Sequence, residues 1–228
     1  MATWTTQSAG TNGNGLDIDG SMISCEQGNR RLVRRTDFGA PTNVEVIVDA
    51  YQGMALNRPN DVVVRSDGQM YFTDPNYSTP NQELPFQGVF WVDPTNGNAI
   101  TLVDDTMDKP NGIGLSPDES VLYVTDAAEN ELWAFDVNAD GSIADGSRQK
   151  LADTNNTPDG FAVDDQGYLY LTTSEGIDVH APDGSLFGNI PVPEQPANCA
   201  FGGTDRRTLY ITARSGVYRV ALNVPGLP

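Results

Sequence analysis

Short runs of alternating hydrophobic and polar residues follow one another along the chain, separated by clusters of Gly, Pro, Asn and Asp. Such alternation has the two-residue period of a β-strand with one buried face. No stretch of about 12 residues combines the 3.6-residue apolar period of an amphipathic helix with a capping residue. The pattern therefore predicts an all-β protein.

One unit recurs along the chain. It consists of an Asn or Asp at its start, an apolar run, a turn rich in Gly or Asp, and a second apolar run. The clearest copies start at Asn60, Asn111 and Asp159, and looser copies start at Asn12 and Asn198. Consecutive starts lie about 40–50 residues apart, which is the repeat length of four-stranded propeller blades. We therefore predict a β-propeller with five recognisable blades.

The fifth copy has room for only three strands, at Cys199–Phe201, Thr208–Thr212 and Val217–Ala221. Residues Thr3–Gln7 offer one further strand, which either completes that blade or belongs to a blade that the chain has lost. We expect residues 1–228 to form one domain. An incomplete set of blades would expose apolar sheet faces and favour self-association.

The charge balance narrows the classes of partner. The chain carries 31 acidic and 13 basic residues, a net charge of −18 at pH 7. A surface this negative repels nucleic-acid phosphates and anionic lipids, so neither class of partner is expected. The first residues lack the basic and apolar segments of a secretion signal, and no apolar run approaches the ~18 residues of a membrane helix. These features predict a soluble, cytoplasmic protein.

The single histidine and the two cysteines limit the chemistry available. A Ser-His-Asp or Cys-His triad would have to use His180, and no Gly-x-Ser-x-Gly motif is present. His180 alternates with apolar neighbours, which predicts a histidine on the surface of a strand. Cys25 and Cys199 are expected to be buried, reduced thiols.

The Asn and Asp residues that open the repeats are the candidate functional residues. The innermost strands of a propeller line its channel, so Asn60, Asn111 and Asp159 are expected to converge at one mouth. Their oxygens are hard donors that suit Ca²⁺ or Mg²⁺. Asn and Asp are also favoured in turns, and a repeat copies its turn residues without any function. The pattern alone leaves both interpretations open.

An ordered series of motifs resembles the gluconolactonase family, which also includes regucalcin (senescence marker protein) and luciferin-regenerating enzyme. The motifs are Pro59-Asn60-Asp61, Phe72-Thr73-Asp74-Pro75, Pro110-Asn111-Gly112 and Pro158-Asp159-Gly160. Three further segments, 11–14, 25–31 and 201–209, resemble the bacterial gluconolactonase branch. The resemblance runs from about Asn12 to Val220.

This resemblance implies a six-bladed propeller that holds one divalent ion, usually Ca²⁺ and otherwise Zn²⁺, Mg²⁺ or Mn²⁺. It implies that Asn111 and Asp159 bind the metal, that Asn60 binds metal or substrate, and that Arg58 contacts the sugar. The Glu-Gly-Pro motif that supplies a metal ligand in the family's first blade is absent from this sequence, so we expect the chain to begin near the end of that blade. Gln27 stands where members of the branch commonly carry histidine.

The leading hypothesis is a divalent-metal-dependent hydrolase that opens a sugar lactone, such as gluconolactone, to its aldonic acid. Asp159 is the predicted general base, because it is the only carboxylate among the repeat-opening positions. Arg58 and Asn60 would orient substrate hydroxyls. Two alternatives remain open: a non-catalytic propeller scaffold or inactive fragment, and a related propeller that hydrolyses organophosphates.

Overall fold

A computed structural model of the protein describes residues 8–37, 43–78 and 81–227. The regular elements in these ranges are β-strands and one short 3-10 helix, Pro94–Asn96, which confirms the all-β prediction. The chain divides into two compact units, Met1–Pro110 and Asn111–Pro228. The expected strand at Thr3–Gln7 lies outside the described residues.

The first unit contains two antiparallel four-stranded sheets and a small hairpin in its described part. The first sheet consists of β1 (Thr11–Leu16), β2 (Met22–Glu26), β3 (Arg31–Arg35) and β4 (Glu45–Val48). The hairpin consists of β5 (Ala50–Tyr51) and β6 (Met54–Ala55). The second sheet consists of β7 (Val62–Val64), β8 (Met70–Asp74), β9 (Gly88–Asp93) and β10 (Ala99–Asp104).

The second unit contains two four-stranded sheets and one three-stranded sheet within the described residues. The third sheet consists of β11 (Pro110–Leu115), β12 (Val121–Asp126), β13 (Glu131–Asp136) and β14 (Gln149–Asp153). The fourth consists of β15 (Phe161–Val163), β16 (Leu169–Thr173), β17 (Gly176–His180) and β18 (Leu186–Ile190). The fifth consists of β19 (Pro196–Gly202), β20 (Thr208–Ala213) and β21 (Gly216–Ala221). These sheets are the blades of a β-propeller fold, as the repeat predicted.

The hydrophobic core of each unit lies between successive sheets. All five residues of β8 and of β16 are buried. In the second unit, Leu169 and Leu171 of β16 pack in a cluster with the third sheet, and Tyr170 packs in a cluster with the fifth. In the first unit Phe72 of β8 stacks on Phe90 of β9, with ring centroids 5.3 Å apart, inside a cluster that includes Ile23 and Leu32 of the first sheet. Burial on both faces explains why these strands are nearly continuous apolar runs in the sequence.

The Asp-Gly turns of the repeat follow from backbone geometry. Gly68 has a φ of 87° and Gly167 a φ of 86°, a left-handed conformation that glycine adopts without strain. The carboxylate of Asp67 accepts the backbone N–H of Gln69 at 3.1 Å and so closes the turn between β7 and β8. The repeated Asp and Gly at these turns therefore have a structural role.

His180 corrects one prediction from the sequence. It is 2% exposed, and its Nδ1 lies 2.9 Å from the carbonyl oxygen of Gly184, so the prediction of a surface histidine is wrong. The reason is that β17 is an interior strand whose five residues are all buried. Cys25 and Cys199 are buried and form no disulfide, as predicted. In the described part of the chain, no helix is long and apolar enough to cross a membrane.

Candidate functional site

In the second unit the structure brings together two of the residues that open the repeats. Asn111 lies on β11, and Asp159 lies two residues before β15. The side chain of Asn111 hydrogen-bonds to the carboxylate of Asp159. Asn111 is buried, whereas Asp159 is partly exposed. The pair therefore presents a carboxylate and a carboxamide side by side.

Burial dominates the electrostatics of Asp159. It raises the pKa of the carboxyl from 3.8 to about 6, against the smaller lowering effects of the Asn111 side chain and the Gly160 N–H. No cationic side chain is among the causes of this shift. Among the residues that the structure describes, no positively charged side chain pairs with this carboxylate, and a cation placed beside it would favour its ionised form.

Hydrogen bonds from both sides fix the backbone of Asp159. Its N–H donates to the carbonyl of Thr172 at 3.0 Å, which ties it to its own sheet. Its carbonyl accepts the hydroxyl of Thr125 at 3.1 Å, which ties it to the preceding sheet. Thr125 Oγ1 in turn accepts the N–H of Gly112 at 2.8 Å. The residue after Asn111 and the main chain of Asp159 are thus held by one threonine.

Two glycines allow this close approach. A Cβ atom on Gly112 would lie 2.4 Å from the carbonyl oxygen of Asp159, and one on Gly160 would lie 2.3 Å from Cγ of Asn198. The glycines that follow Asn111 and Asp159 are therefore required by contact with the next repeat. Asn198, within β19, accepts the N–H of Cys199 with its side-chain oxygen at 2.8 Å.

In the first unit, Asn60 is buried immediately before Asp61 and β7. Its N–H donates to the carbonyl of Thr73 at 2.8 Å, and its carbonyl accepts the N–H of Gly13 at 2.7 Å. These bonds join the entry of the second sheet to the inner strand of the first. The predicted roles of Asn60 in binding metal or substrate stay predictions.

Arg58 reaches two neutral acceptors. Its Nη1 donates to the carbonyl of Tyr77 at 2.8 Å, and its Nη2 donates to Oε1 of Gln27 at 3.4 Å. Gln27 lies 31 residues away in the sequence, just after β2. Sequence reasoning noted Gln27 as a departure from the family and assigned it no contact, because a link between two sheets has no local signature.

A pair of buried residues that sequence reasoning missed positions the Arg58 segment. Asn57 N–H donates to Oδ2 of Asp74 at 2.7 Å, and the Asn57 amide donates to the carbonyls of Asp74 at 3.1 Å and Phe86 at 2.9 Å. The backbone N–H of Arg58 also donates to the Asp74 carboxylate. Burial raises the pKa of Asp74 to about 7. In the sequence, Asp74 could have been recognised as a candidate because it is a carboxylate at the end of an apolar strand, in Phe72-Thr73-Asp74.

Comparisons with known proteins agree with this architecture. The gluconolactonase of Zymomonas mobilis is 33% identical over an alignment that covers 92% of this chain and 63% of that protein. A 6-deoxy-6-sulfogluconolactonase of Pseudomonas putida is 33% identical over 51% of this chain and 47% of that protein. The chain thus spans less than two thirds of the length of these relatives.

A solved structure of a gluconolactonase from Xanthomonas campestris matches 99% of this chain and 75% of its own, with a TM-score of 0.87 at 32% identity. The family model described as the SMP-30/Gluconolactonase/LRE-like region matches residues 2–215. This match covers far more than half of the chain. The chain therefore belongs to the SMP-30/gluconolactonase/LRE-like family.

Proposed function

We propose that the protein hydrolyses a sugar lactone, such as gluconolactone, to its aldonic acid. Membership of the family and the names of the relatives support this class of reaction. The observation that carries the proposal is the hydrogen-bonded pair of Asn111 and Asp159, at the two motifs that suggested metal ligands in the sequence. Its small-molecule substrate would be met in the cytoplasm, a reducing compartment that agrees with the thiols of Cys25 and Cys199.

The donor chemistry of this pair fits a divalent cation. A carboxylate that pairs with no cationic side chain in the described part of the chain lies beside a carboxamide, and oxygen donors of this kind suit Ca²⁺. Within the described ranges, no three His, Cys, Asp or Glu side chains gather to form a fuller site. Because Ca²⁺ takes ~6–8 oxygens, we expect Asn60 and water to supply further ligands and the affinity to be modest. Zn²⁺, Mg²⁺ and Mn²⁺ are the alternative ions.

Asp159 and Asn60 each have two proposed roles, one at the metal and one toward the attacking water or the substrate. A bound divalent ion would polarise the lactone carbonyl and stabilise the negative charge that develops on its oxygen. The Asp159 carboxylate accepts a proton from the attacking water, a contribution of typically ~10²–10⁴-fold for a general base. The Asn111 amide orients that carboxylate. Arg58 and Asn60 donate hydrogen bonds to hydroxyls of the substrate.

The test is hydrolysis of glucono-δ-lactone by the purified chain, measured above the spontaneous rate with Ca²⁺ and then with a chelator. Asp159→Asn should lose more than nine tenths of the rate while the protein stays folded, because an amide does not accept the proton. Asp183→Asn, at an exposed turn of the same unit, is the matched control and should keep its rate. Retention of more than about a tenth by Asp159→Asn would exclude Asp159 as the base. A wild-type chain without activity on any lactone would favour the non-catalytic alternative.

A further inference from the structure

Arg58 differs from the other partly or fully buried arginines of the first unit. Those arginines have a carboxylate oxygen between 2.6 and 3.6 Å away, namely Arg30, Arg31, Arg34, Arg35 and Arg65. Arg58 makes no ion pair with any residue that the structure describes, and its two hydrogen-bond acceptors are the neutral oxygens of Gln27 and Tyr77. The chain has a net charge of −18, yet no carboxylate of the described residues pairs with this guanidinium.

The arrangement holds the guanidinium in place without neutralising it. A carbonyl and a carboxamide oxygen fix its orientation, yet neither carries a formal charge. Two of its five N–H donors are used in this way, and Nε is enclosed with no acceptor among the described residues. A partly buried cation of this kind is stabilised by an anion that approaches its remaining donors.

The backbone of Arg58 is also fixed before any ligand arrives. Its N–H donates to the buried carboxylate of Asp74, which accepts the N–H of Asn57 as well. Asp74 therefore holds the main chain of this segment, whereas the guanidinium donates to Tyr77 and Gln27. A binding group held on both sides in this way loses little conformational freedom when a ligand binds.

A second cation lies beside the same residue. Nζ of Lys109 is 5.6 Å from the centroid of the Tyr77 ring, while the carbonyl of Tyr77 accepts Nη1 of Arg58. Two positively charged side chains thus contact Tyr77, one at its ring and one at its backbone.

We propose that Arg58 recognises an anionic group on the substrate, so that the preferred lactones carry a carboxylate, phosphate or sulfonate in addition to their hydroxyls. This inference rests on the proposed function. The planar guanidinium matches the paired oxygens of these groups, and hydrogen bonds to ionised acceptors are about twice as strong as those to neutral ones. A neutral hydroxyl would leave the charge of Arg58 unbalanced.

The experiment compares kcat/KM for 6-phosphoglucono-δ-lactone and D-glucaro-1,4-lactone with that for glucono-δ-lactone. We expect the wild-type chain to favour at least one charged lactone by about tenfold or more, the effect of one charge-assisted contact. Arg58→Gln should remove this preference, and Arg58→Lys should keep part of it. Arg65→Gln, at an arginine already paired with Asp67, is the matched control and should keep the full preference. Equal kcat/KM for charged and neutral lactones, or an Arg58→Gln variant that slows both equally, would overturn the inference.

Calorimetric binding of open-chain polyols separates this inference from the proposed function. Should no lactone be hydrolysed, glucitol 6-phosphate is still expected to bind at least tenfold more tightly than neutral glucitol to the wild-type chain, and Arg58→Gln is expected to lose this preference. Equal affinity of the wild-type chain for the two compounds would reject the site. Inorganic phosphate distinguishes a free ion from a substituent: if it binds as tightly as glucitol 6-phosphate, Arg58 selects a free anion and the assignment of substrate class is wrong.

Discussion

Asn57 donates two hydrogen bonds to Asp74. Its backbone N–H donates to the carboxylate of Asp74 at 2.7 Å, and its side-chain amide donates to the Asp74 carbonyl at 3.1 Å. Both side chains are fully buried. This doubly bonded pair sets the backbone from which Arg58 extends, so it links the core of the second sheet to the proposed substrate contact.

The buried carboxyl of Asp74 predicts a dependence of stability on pH. Its pKa is raised from 3.8 to about 7 by burial, so between these values the folded state holds a proton that the unfolded state releases. The free energy of unfolding should therefore fall as the pH rises through this window, by at most about 1.4 kcal/mol per pH unit from this group. Above a pH of about 7 the contribution should level off.

Urea unfolding of wild type and Asp74→Asn at about pH 5.5 and pH 7.5 measures this contribution. The variant is expected to show a smaller decline between the two pH values, because its amide does not titrate. Asp183→Asn removes an exposed carboxyl whose pKa is lowered by Ser185, so that variant should not flatten the decline. An identical pH dependence in wild type and Asp74→Asn would contradict the assignment.

Gly160→Ala should destabilise the second unit. The new Cβ would lie 2.3 Å from Cγ of Asn198, so either the Asn198 side chain or the backbone before β15 must move. We expect a loss of about 1–3 kcal/mol in the free energy of unfolding. Gly188→Ala in β18 is the matched control, because a Cβ at that position would meet no other atom within 4 Å, and it should be neutral or slightly stabilising. Equal free energies of unfolding for the two variants would show that the structure relaxes around the new Cβ at residue 160 without loss of stability, which would contradict the prediction.

Thr172→Val tests the hydroxyl that bridges the fourth and fifth sheets. Oγ1 of Thr172 donates to the carbonyl of Gly160 at 2.7 Å and also lies 3.2 Å from the carbonyl of Ala197. Valine keeps the shape and removes the hydroxyl bonds, while the two carbonyls keep the backbone N–H groups of Thr172 (3.1 Å) and Gly160 (3.0 Å) as donors, so the loss should be about 0.5–1.5 kcal/mol. Thr101→Val, on an exposed position of β10, should leave the denaturation midpoint almost unchanged. If the denaturation midpoint of Thr172→Val equals that of wild type within error, the Thr172 hydroxyl contributes no net stability.

Addition of Ca²⁺ should stabilise the chain through Asp159. At a concentration of about 100 Kd, binding to the folded state adds about 2.7 kcal/mol, which corresponds to roughly 5–10 °C in Tm for a domain of this size. Asp159→Ala should abolish the shift, and Asp183→Ala should retain it. Differential scanning fluorimetry with Ca²⁺, Mg²⁺, Mn²⁺ and Zn²⁺ ranks the ions. A shift that survives Asp159→Ala would place the ion elsewhere.

The two cysteines should resist thiol reagents in the folded protein. Cys25 and Cys199 are buried, and burial raises the pKa of the Cys25 thiol well above its ordinary value. Because the thiolate is the reactive form, we expect neither residue to react with an aromatic disulfide reagent until denaturant is added. Absorbance of the released thiol counts the reactive groups, and fast labelling of one group under native conditions would reveal local opening around it.

The strands were predictable because the repeat fixes where each one begins. The turns between Val62–Val64 and Met70–Asp74 and between Phe161–Val163 and Leu169–Thr173 have the same form, in which a glycine N–H bonds to the carbonyl three residues before it. A clear copy of the repeat therefore identifies the weaker ones. The hairpin of Ala50–Tyr51 and Met54–Ala55 was missed because two-residue strands are too short to show a period. His180 was misplaced because alternation within one strand does not reveal what covers its polar face.

The candidate site was predictable only in part. Asn111 and Asp159 open equivalent repeats, so their pairing follows from the repeat itself. The link between Asn57 and Asp74 spans 17 residues, and that between Gln27 and Arg58 spans 31. Contacts of this kind depend on how separate strands pack, and neither periodicity nor composition carries that information.

The threonine bridges in the second unit bear on how such chains change length in evolution. Thr125 supplies the donor from the third sheet to the entry of the fourth at Asp159, and Thr172 supplies it from the fourth sheet to the entry of the fifth at Ala197. A duplicated repeat therefore brings its own donor for the repeat after it and its own acceptor for the repeat before it. Within the second unit, a repeat could be duplicated or removed and the joint that remains would keep the same threonine-to-carbonyl bond.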